Sequence, residues 1–158
     1  MGKEIERKFL VRQLPDLTGA DSVVMVQGYL RADAHGSVRV RISSAGAYLT
    51  IKGPGRNLSR LEFEYPVPAE DAREMLDALS VTATVEKVRY RIDHQGYVWE
   101  LDVFSGSNEG LVLAEVELED PSEHPPLPEW VGREVSDDAR YFNASLARQP
   151  YRQWRRPL

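Results

Sequence analysis

Charged side chains recur in this sequence at every second position, and they run in rows of one sign. Glu115, Glu117 and Glu119 alternate with Val116 and Leu118, and Lys87, Arg89 and Arg91 alternate with Val88 and Tyr90. Glu4, Glu6 and Lys8 form a mixed row against Ile5 and Phe9, with Arg7 as an exception. A spacing of two puts each row on one face of a strand. Further acids, Glu62, Glu64, Glu100 and Asp102, and further bases, Arg39, Arg41, Lys52 and Arg60, follow the same alternation. Rows of carboxylates attract hard divalent cations such as magnesium or manganese, which take oxygen ligands. Rows of arginine and lysine bind phosphate oxygens, arginine with two parallel donors. Both kinds of row in one chain point to a polyanion carried with its metal.

A sheet with one solvated face would show the same periodicity. Two features count against that reading. Like charges in a row repel, and an idle solvated face would mix signs. Neutral polar residues, which solvate a strand without electrostatic strain, are scarce on these faces.

Eight strands position these rows: residues 4–9, 23–30, 38–42, 48–52, 60–65, 85–92, 99–103 and 113–119. Most connections are of hairpin length, as at Gly53-Pro54-Gly55 and Gln95-Gly96, so the sheet is expected to be antiparallel. Closure into a barrel would remove its edges. The fold class is therefore mainly β with a few helices (α+β), with charged faces inside and apolar faces packed outward under helices. One helix follows Pro68, with Ala72, Met75, Leu76 and Leu79 on its apolar stripe. The Pro-rich stretch 121–128 is expected to end the sheet. Ser136 reads as the N-cap of a C-terminal helix over about 137–148, with Asp137 and Asp138 in its first turn. The basic, aromatic tail 149–158 reads as a frayed terminus.

Composition narrows the function classes. The chain has 158 residues, 28% charged and 42% hydrophobic, and is expected to form one domain over 1–158. Its formal charge of -5 argues against a nucleic-acid or anionic-membrane partner. The absence of cysteine excludes disulfides, zinc-thiolate sites and a cysteine nucleophile. No signal peptide or membrane span is visible, so the expected location is cytoplasmic. The triplets Asn57-Leu58-Ser59 and Asn143-Ala144-Ser145 match a glycosylation acceptor but carry no meaning without secretion. His35, His94 and His124 are scattered without metal-ligand spacing, and there is no nucleophile-elbow serine or Gly-rich phosphate loop.

At Glu4-Ile5-Glu6-Arg7-Lys8 the chain resembles the CYTH superfamily of triphosphate tunnel metalloenzymes, whose signature is an N-terminal Glu-x-Glu-x-Lys. Gln27-Gly28-Tyr29-Leu30, Arg39-Val40-Arg41, Leu49-Thr50-Ile51-Lys52, Glu62-Phe63-Glu64, Lys87-Val88-Arg89-Tyr90, Glu100-Leu101-Asp102 and Glu115-Val116-Glu117 resemble the family's later strands in order. The resemblance reaches about Asn143 and is strongest to the small bacterial members, which are similar to inorganic triphosphatases. It implies an eight-stranded antiparallel closed barrel with a charged tunnel and a C-terminal helix near one mouth. It implies that Glu4, Glu6, Glu115 and Glu117 hold magnesium or manganese. Lys8, Arg39, Arg41, Lys52, Lys87 and Arg89 would hold the triphosphate, joined by Arg60, with Glu62, Glu64 and Asp102 in support. Tyr29 stands where small members carry a tyrosine proposed as proton acceptor, and Lys52 is the second residue expected to take part in catalysis.

The expected reaction is metal-dependent hydrolysis of a small-molecule triphosphate, foremost tripolyphosphate to pyrophosphate and phosphate. The same tunnel in a class IV adenylate cyclase or a thiamine triphosphatase would hold the same group for another reaction. A non-catalytic polyphosphate-binding module would keep the basic rows but could dispense with the acidic ones.

Overall fold

The computed structural model describes residues 2–55 and 58–155. Met1, Asn57 of the first acceptor triplet and the tail end 156–158 lie outside the described residues. The alternating segments form strands β1 (Lys3–Val11), β2 (Asp21–Asp33), β3 (Gly36–Ser43), β4 (Gly46–Lys52), β5 (Ser59–Pro66), β6 (Val85–His94), β7 (Tyr97–Ser105) and β8 (Val112–Glu117). They pair antiparallel in the order β5-β4-β3-β2-β6-β7-β8-β1, and a further β5–β1 pairing closes the barrel. Closure falls on the signature strand. Glu4 faces Arg60 across β5, and further along β1 Glu6 faces Glu117 and Lys8 faces Glu115 across β8.

The Pro-rich stretch does not end the sheet. A ninth strand, β9 (Val131–Glu134), follows it and pairs with β1. The physical reason is an edge: β5 covers β1 only at residues 3–5, and β9 covers it from Phe9 to Val11.

The apolar faces point outward, as the alternation requires, and are covered over part of the wall, while Ile51, Leu61, Phe63 and Tyr65 on β4 and β5 stay exposed. Trp99, fully buried, stacks at 5.5 Å on Phe9 and at 5.9 Å edge-on to Trp130, among Ile5, Val116, Leu118 and Val131. On the other side α1 (Ala69–Leu79) lies over Val40 and Ala47, with Ala72 at its centre. Gly28 allows this approach, since a Cβ there would meet the Leu76 side chain at 2.8 Å. Leu79 departs from its expected stripe and is exposed, at the end of the helix where the wall falls away.

One end of the barrel interior is apolar instead of charged. Tyr29, Ala32, Val85, Phe104 and Leu113 cluster there with Tyr141, Leu146 and Ala147 from the C-terminal segment. A register shift in β2 between Tyr29 and Arg31 lets Ala32, an even position, join Tyr29 on the inner side. The C-terminal segment differs from the single helix expected over 137–148. It is a 3-10 turn (Ala139–Tyr141), then α2 (Asn143–Arg148) and α3 (Tyr151–Trp154). Ser136 is not an N-cap: its Oγ accepts the Lys8 backbone N–H at 2.9 Å and donates to Glu134 Oε2 at 2.6 Å. The barrel wall thus claims the hydroxyl that a helix would have used. The start of the tail is docked, not frayed, because Trp154 packs edge-on against Tyr141 at 5.3 Å. No helix among the described residues is long and apolar enough to cross a membrane.

Candidate active site

The inner faces enclose a cavity of about 870 Å³. Thirteen of the fifteen residues expected to do chemistry line it: Glu4, Glu6, Lys8, Tyr29, Arg39, Arg41, Lys52, Arg60, Glu62, Glu64, Arg89, Glu115 and Glu117. Their arrival in one place follows from period two around a closed wall. Lys87 and Asp102, the remaining two, sit behind that wall. Lys87 Nζ donates to Asp102 Oδ2 at 2.7 Å and to Asn143 Oδ1 at 3.2 Å. Lys87 is 1% exposed, and its ammonium lies behind the cavity surface. Arg91 and Glu119, at the ends of their rows, are exposed outside the cavity.

Most bases inside are already paired with acids. Lys52 Nζ lies 2.8 Å from Glu4 Oε2 and 3.4 Å from Glu62 Oε2. Lys8 lies 3.5 Å from Glu115, and Arg39 lies 3.7 Å from Glu64. Arg89 grips Asp102 with Nε and Nη2 at 2.7 and 2.9 Å and reaches Glu100 at 3.3 Å. Three guanidinium groups on the lining differ. Arg41 donates to Gln27 Oε1 at 2.8 Å, Arg60 lies over the Phe142 ring at 5.5 Å, and Arg148 donates through Nη2 to the Ala32 carbonyl. None of the three has a carboxylate within 4.0 Å among the described residues.

The electrostatics show strain of both signs. Burial, and then the neighbouring Glu115 and Glu4, push the Glu6 carboxyl well above its ordinary value. A hydrogen bond shared with Glu4, and then burial, raise Glu62 to about 7. Burial pushes Glu4 up too, but the Glu62 hydrogen bond and the Lys52 charge prevail and hold it low. For Glu115 burial is likewise outweighed, by Lys8, Arg89 and Lys87. Burial, with Arg39 and Arg89 beside it, brings Arg41 down to about 10. Burial is also the main cause that lowers Lys87 to about 7, with Arg89 and Arg41 adding to it against Asp102.

The acids fit a hard dication. Glu6 and Glu117 are opposed like charges, Glu4 and Glu115 crowd Glu6, and Glu115 Oε1 is buried without a hydrogen-bond partner among the described residues. An all-oxygen carboxylate set suits magnesium-like ions. No three acids among the described residues are already drawn into an ion cage; Lys52 holds Glu4, and Lys8 and Arg89 hold Glu115.

Sequence reasoning passed over several groups on the lining or buried directly behind it. Gln27, and Thr50, which bridges Arg39 Nη2 at 3.2 Å and Glu64 Oε2 at 3.1 Å, lie two positions from Tyr29 and Lys52. Period two could have found them, but neutral polar residues carry no charge signal. Phe142, Asn143 and Arg148 reach the cavity only because the C-terminal segment folds back, and nothing local in the sequence marks that.

A family model described as the CYTH domain matches residues 2–151. A protein of Acetivibrio thermocellus named inorganic triphosphatase is 44% identical over 155 residues, covering 98% of this chain and 99% of that one. A protein of the same name from Nitrosomonas europaea is 40% identical over 149 residues, covering 91% and 96%. The crystal structure of the inorganic triphosphatase NE1496 superposes with a TM-score of 0.66 at 36% identity, over 91% of this chain and 97% of that one. The PH1012 protein of Pyrococcus horikoshii, 23% identical over 75% of this chain and 80% of that one, shares the fold at a TM-score of 0.58.

Proposed function

Because this chain belongs to the CYTH family, we propose that it is a divalent-metal-dependent inorganic triphosphatase, cleaving tripolyphosphate to pyrophosphate and orthophosphate. The observation that carries the reading is one cavity that holds uncompensated guanidinium groups beside crowded carboxylates. That arrangement is costly in an empty interior. A polyanion with its cation relieves both halves.

Phosphoryl transfer asks a protein for positioning and charge neutralisation more than covalent chemistry. In this reading Arg41 and Arg60 meet phosphate oxygens first, since no acid holds them. Lys8, Arg39, Lys52 and Arg89 then exchange part of their carboxylate contact for phosphate. Glu62 and Glu64 keep Lys52 and Arg39 aimed inward, and Asp102 does the same for Arg89. Glu4, Glu6, Glu115 and Glu117 would hold magnesium or manganese, which when bound neutralises phosphate charge and acidifies water. The oxygen of water bonds to the terminal phosphorus, the bridging P–O bond breaks, and pyrophosphate leaves. In this reading Tyr29 takes the water's proton. Tyr29 stands on the cavity wall, opposite Arg39 on the neighbouring strand. A Tyr29→Phe variant that keeps the wild-type kcat and pH–rate profile overturns that role. The bases point into a cavity, not along an outer groove, which favours a small-molecule partner over nucleic acid.

The test follows orthophosphate released from tripolyphosphate, ATP and thiamine triphosphate, with and without magnesium or manganese. Metal-dependent release favouring tripolyphosphate is expected, and Glu117→Gln should raise the metal concentration needed. Turnover that needs no metal, or that prefers a nucleoside or thiamine triphosphate, overturns the proposal.

A further inference from the structure

The three guanidinium groups without an acid partner come from different parts of the chain. Arg41 is on β3 and Arg60 on β5, both in the barrel wall, whereas Arg148 ends α2, outside the wall. Arg148 is an exposed residue that nevertheless lines the cavity. Its neighbours Leu146 and Ala147 are fully sequestered in the apolar cluster that fills this end of the barrel, so the backbone that carries it is anchored. Among the described residues, its guanidinium makes one hydrogen bond, to a neutral carbonyl, that of Ala32. A carbonyl satisfies one donor of five and leaves the charge uncompensated. The nearby acid Asp33, which also lines the cavity, is engaged with Arg31 at 2.8 Å.

We propose that Arg148 is a substrate-binding residue: its guanidinium takes a phosphate oxygen of the bound triphosphate at the cavity mouth and so ties the α2 cap to the ligand. The assignment rests on the triphosphatase reading of the cavity. Two facts favour it over a purely structural role for the Ala32 contact. Any donor of similar length could hold that carbonyl, so the contact does not call for a cation. A second cap residue, Phe142, already lies against two cavity bases, with Lys8 Nζ at 5.7 Å and Arg60 at 5.5 Å from its ring. The cap is therefore in contact with the bases that would grip the other phosphates. Arg148 adds to them a charged donor fork of its own, matched to a phosphate edge.

Binding of tripolyphosphate is measured by calorimetry without metal, and KM and kcat with metal, for the wild type, Arg148→Gln, Arg148→Lys and Arg152→Gln. Gln can still donate to the Ala32 carbonyl but has no charge. Arg148→Gln is expected to weaken binding and raise KM about five- to tenfold, the range of one charge-assisted contact at a wet site, with a larger effect on KM than on kcat. Its affinity should also fall less steeply with added salt. Arg148→Lys should recover most of the loss. Arg152→Gln, which removes an exposed charge of the tail outside the cavity, should match the wild type. Equal affinity and salt dependence for Arg148→Gln and the wild type overturn the proposal, whether or not the protein turns over tripolyphosphate. An equal loss in Arg152→Gln also overturns it, by reducing the effect to net charge. A wild type that binds tripolyphosphate without hydrolysing it refutes the triphosphatase reading alone and leaves the Arg148 assignment to the binding data.

Discussion

Two ionic clusters sit on different strands of this barrel, β1, β4 and β5 for one and β6 and β7 for the other, and differ in what surrounds them. Lys52, Glu4 and Glu62 form one on the cavity surface. Lys87, Asp102 and Arg89 form the other, with Lys87 and Asp102 behind the surface and almost without solvent contact. Both place lysine against carboxylate, yet they hold different surpluses. In the first, two carboxylates share one ammonium and a proton, so there is spare acid beside a base that can turn to a ligand. In the second, one carboxylate serves two cations through three short bonds, and Asp102 is held down at about 2 because Arg89 and Lys87 outweigh its burial. The open cluster is built to exchange partners and the closed one to stay as it is. Composition alone does not separate them; access to the cavity does.

That contrast breaks if the closed cluster can be removed at little cost. Asp102→Ala leaves two buried cations without their acid and should destabilise the fold by about 3–5 kcal/mol, read as a fall in the urea midpoint. A loss below 1 kcal/mol would mean that water or another acid reaches Lys87. In the open cluster the large effect should fall on activity instead. Lys52→Met is expected to lower kcat/KM for tripolyphosphate roughly 100-fold or more, in line with removal of one preorganised donor, while the urea midpoint changes little. Glu4 and Glu62 can share a proton once the ammonium is gone.

Acid sharpens the comparison. The Asp102 carboxyl lies lower in the folded chain than its ordinary 3.8. Its contribution is thus complete above pH 4 and lost as pH falls through about 2, a decline of roughly 2 kcal/mol. Asp102→Asn should remove that part of the acid transition. The smallest effect concerns the contact that links the closed cluster to the C-terminal cap. Asn143→Ala deletes one hydrogen bond to Lys87 and should cost about 1 kcal/mol, measured by thermal unfolding. No change would show that Asp102 alone fixes the lysine.

The residues that sequence reading placed well are those whose position on the inner face follows from alternation. Glu6, Lys8, Arg39, Lys52, Arg89 and Glu115 share an inner face because each lies an even number of positions from its neighbours along a strand. Alternation also leaves open how deep Lys87 lies. Its face is the inner one, but it stands level with Phe104 and next to the apolar plug, so the same parity leads to a closed pocket. Parity fixes direction and not depth.

The sequence by itself determined the strand faces, the signs of charge on them, and hence a wall that is polar inside and apolar outside. These are local properties, set by the two-residue repeat of an extended chain. It did not determine β9, the splitting of the C-terminal helix, or the arrival of Phe142, Asn143 and Arg148 at the cavity. Those depend on an open stretch of β1 edge, on a serine claimed by the Lys8 backbone, and on an apolar barrel end that Leu146 and Ala147 fill. Each is a contact between segments tens to more than a hundred residues apart, and only the closed tertiary structure brings them together.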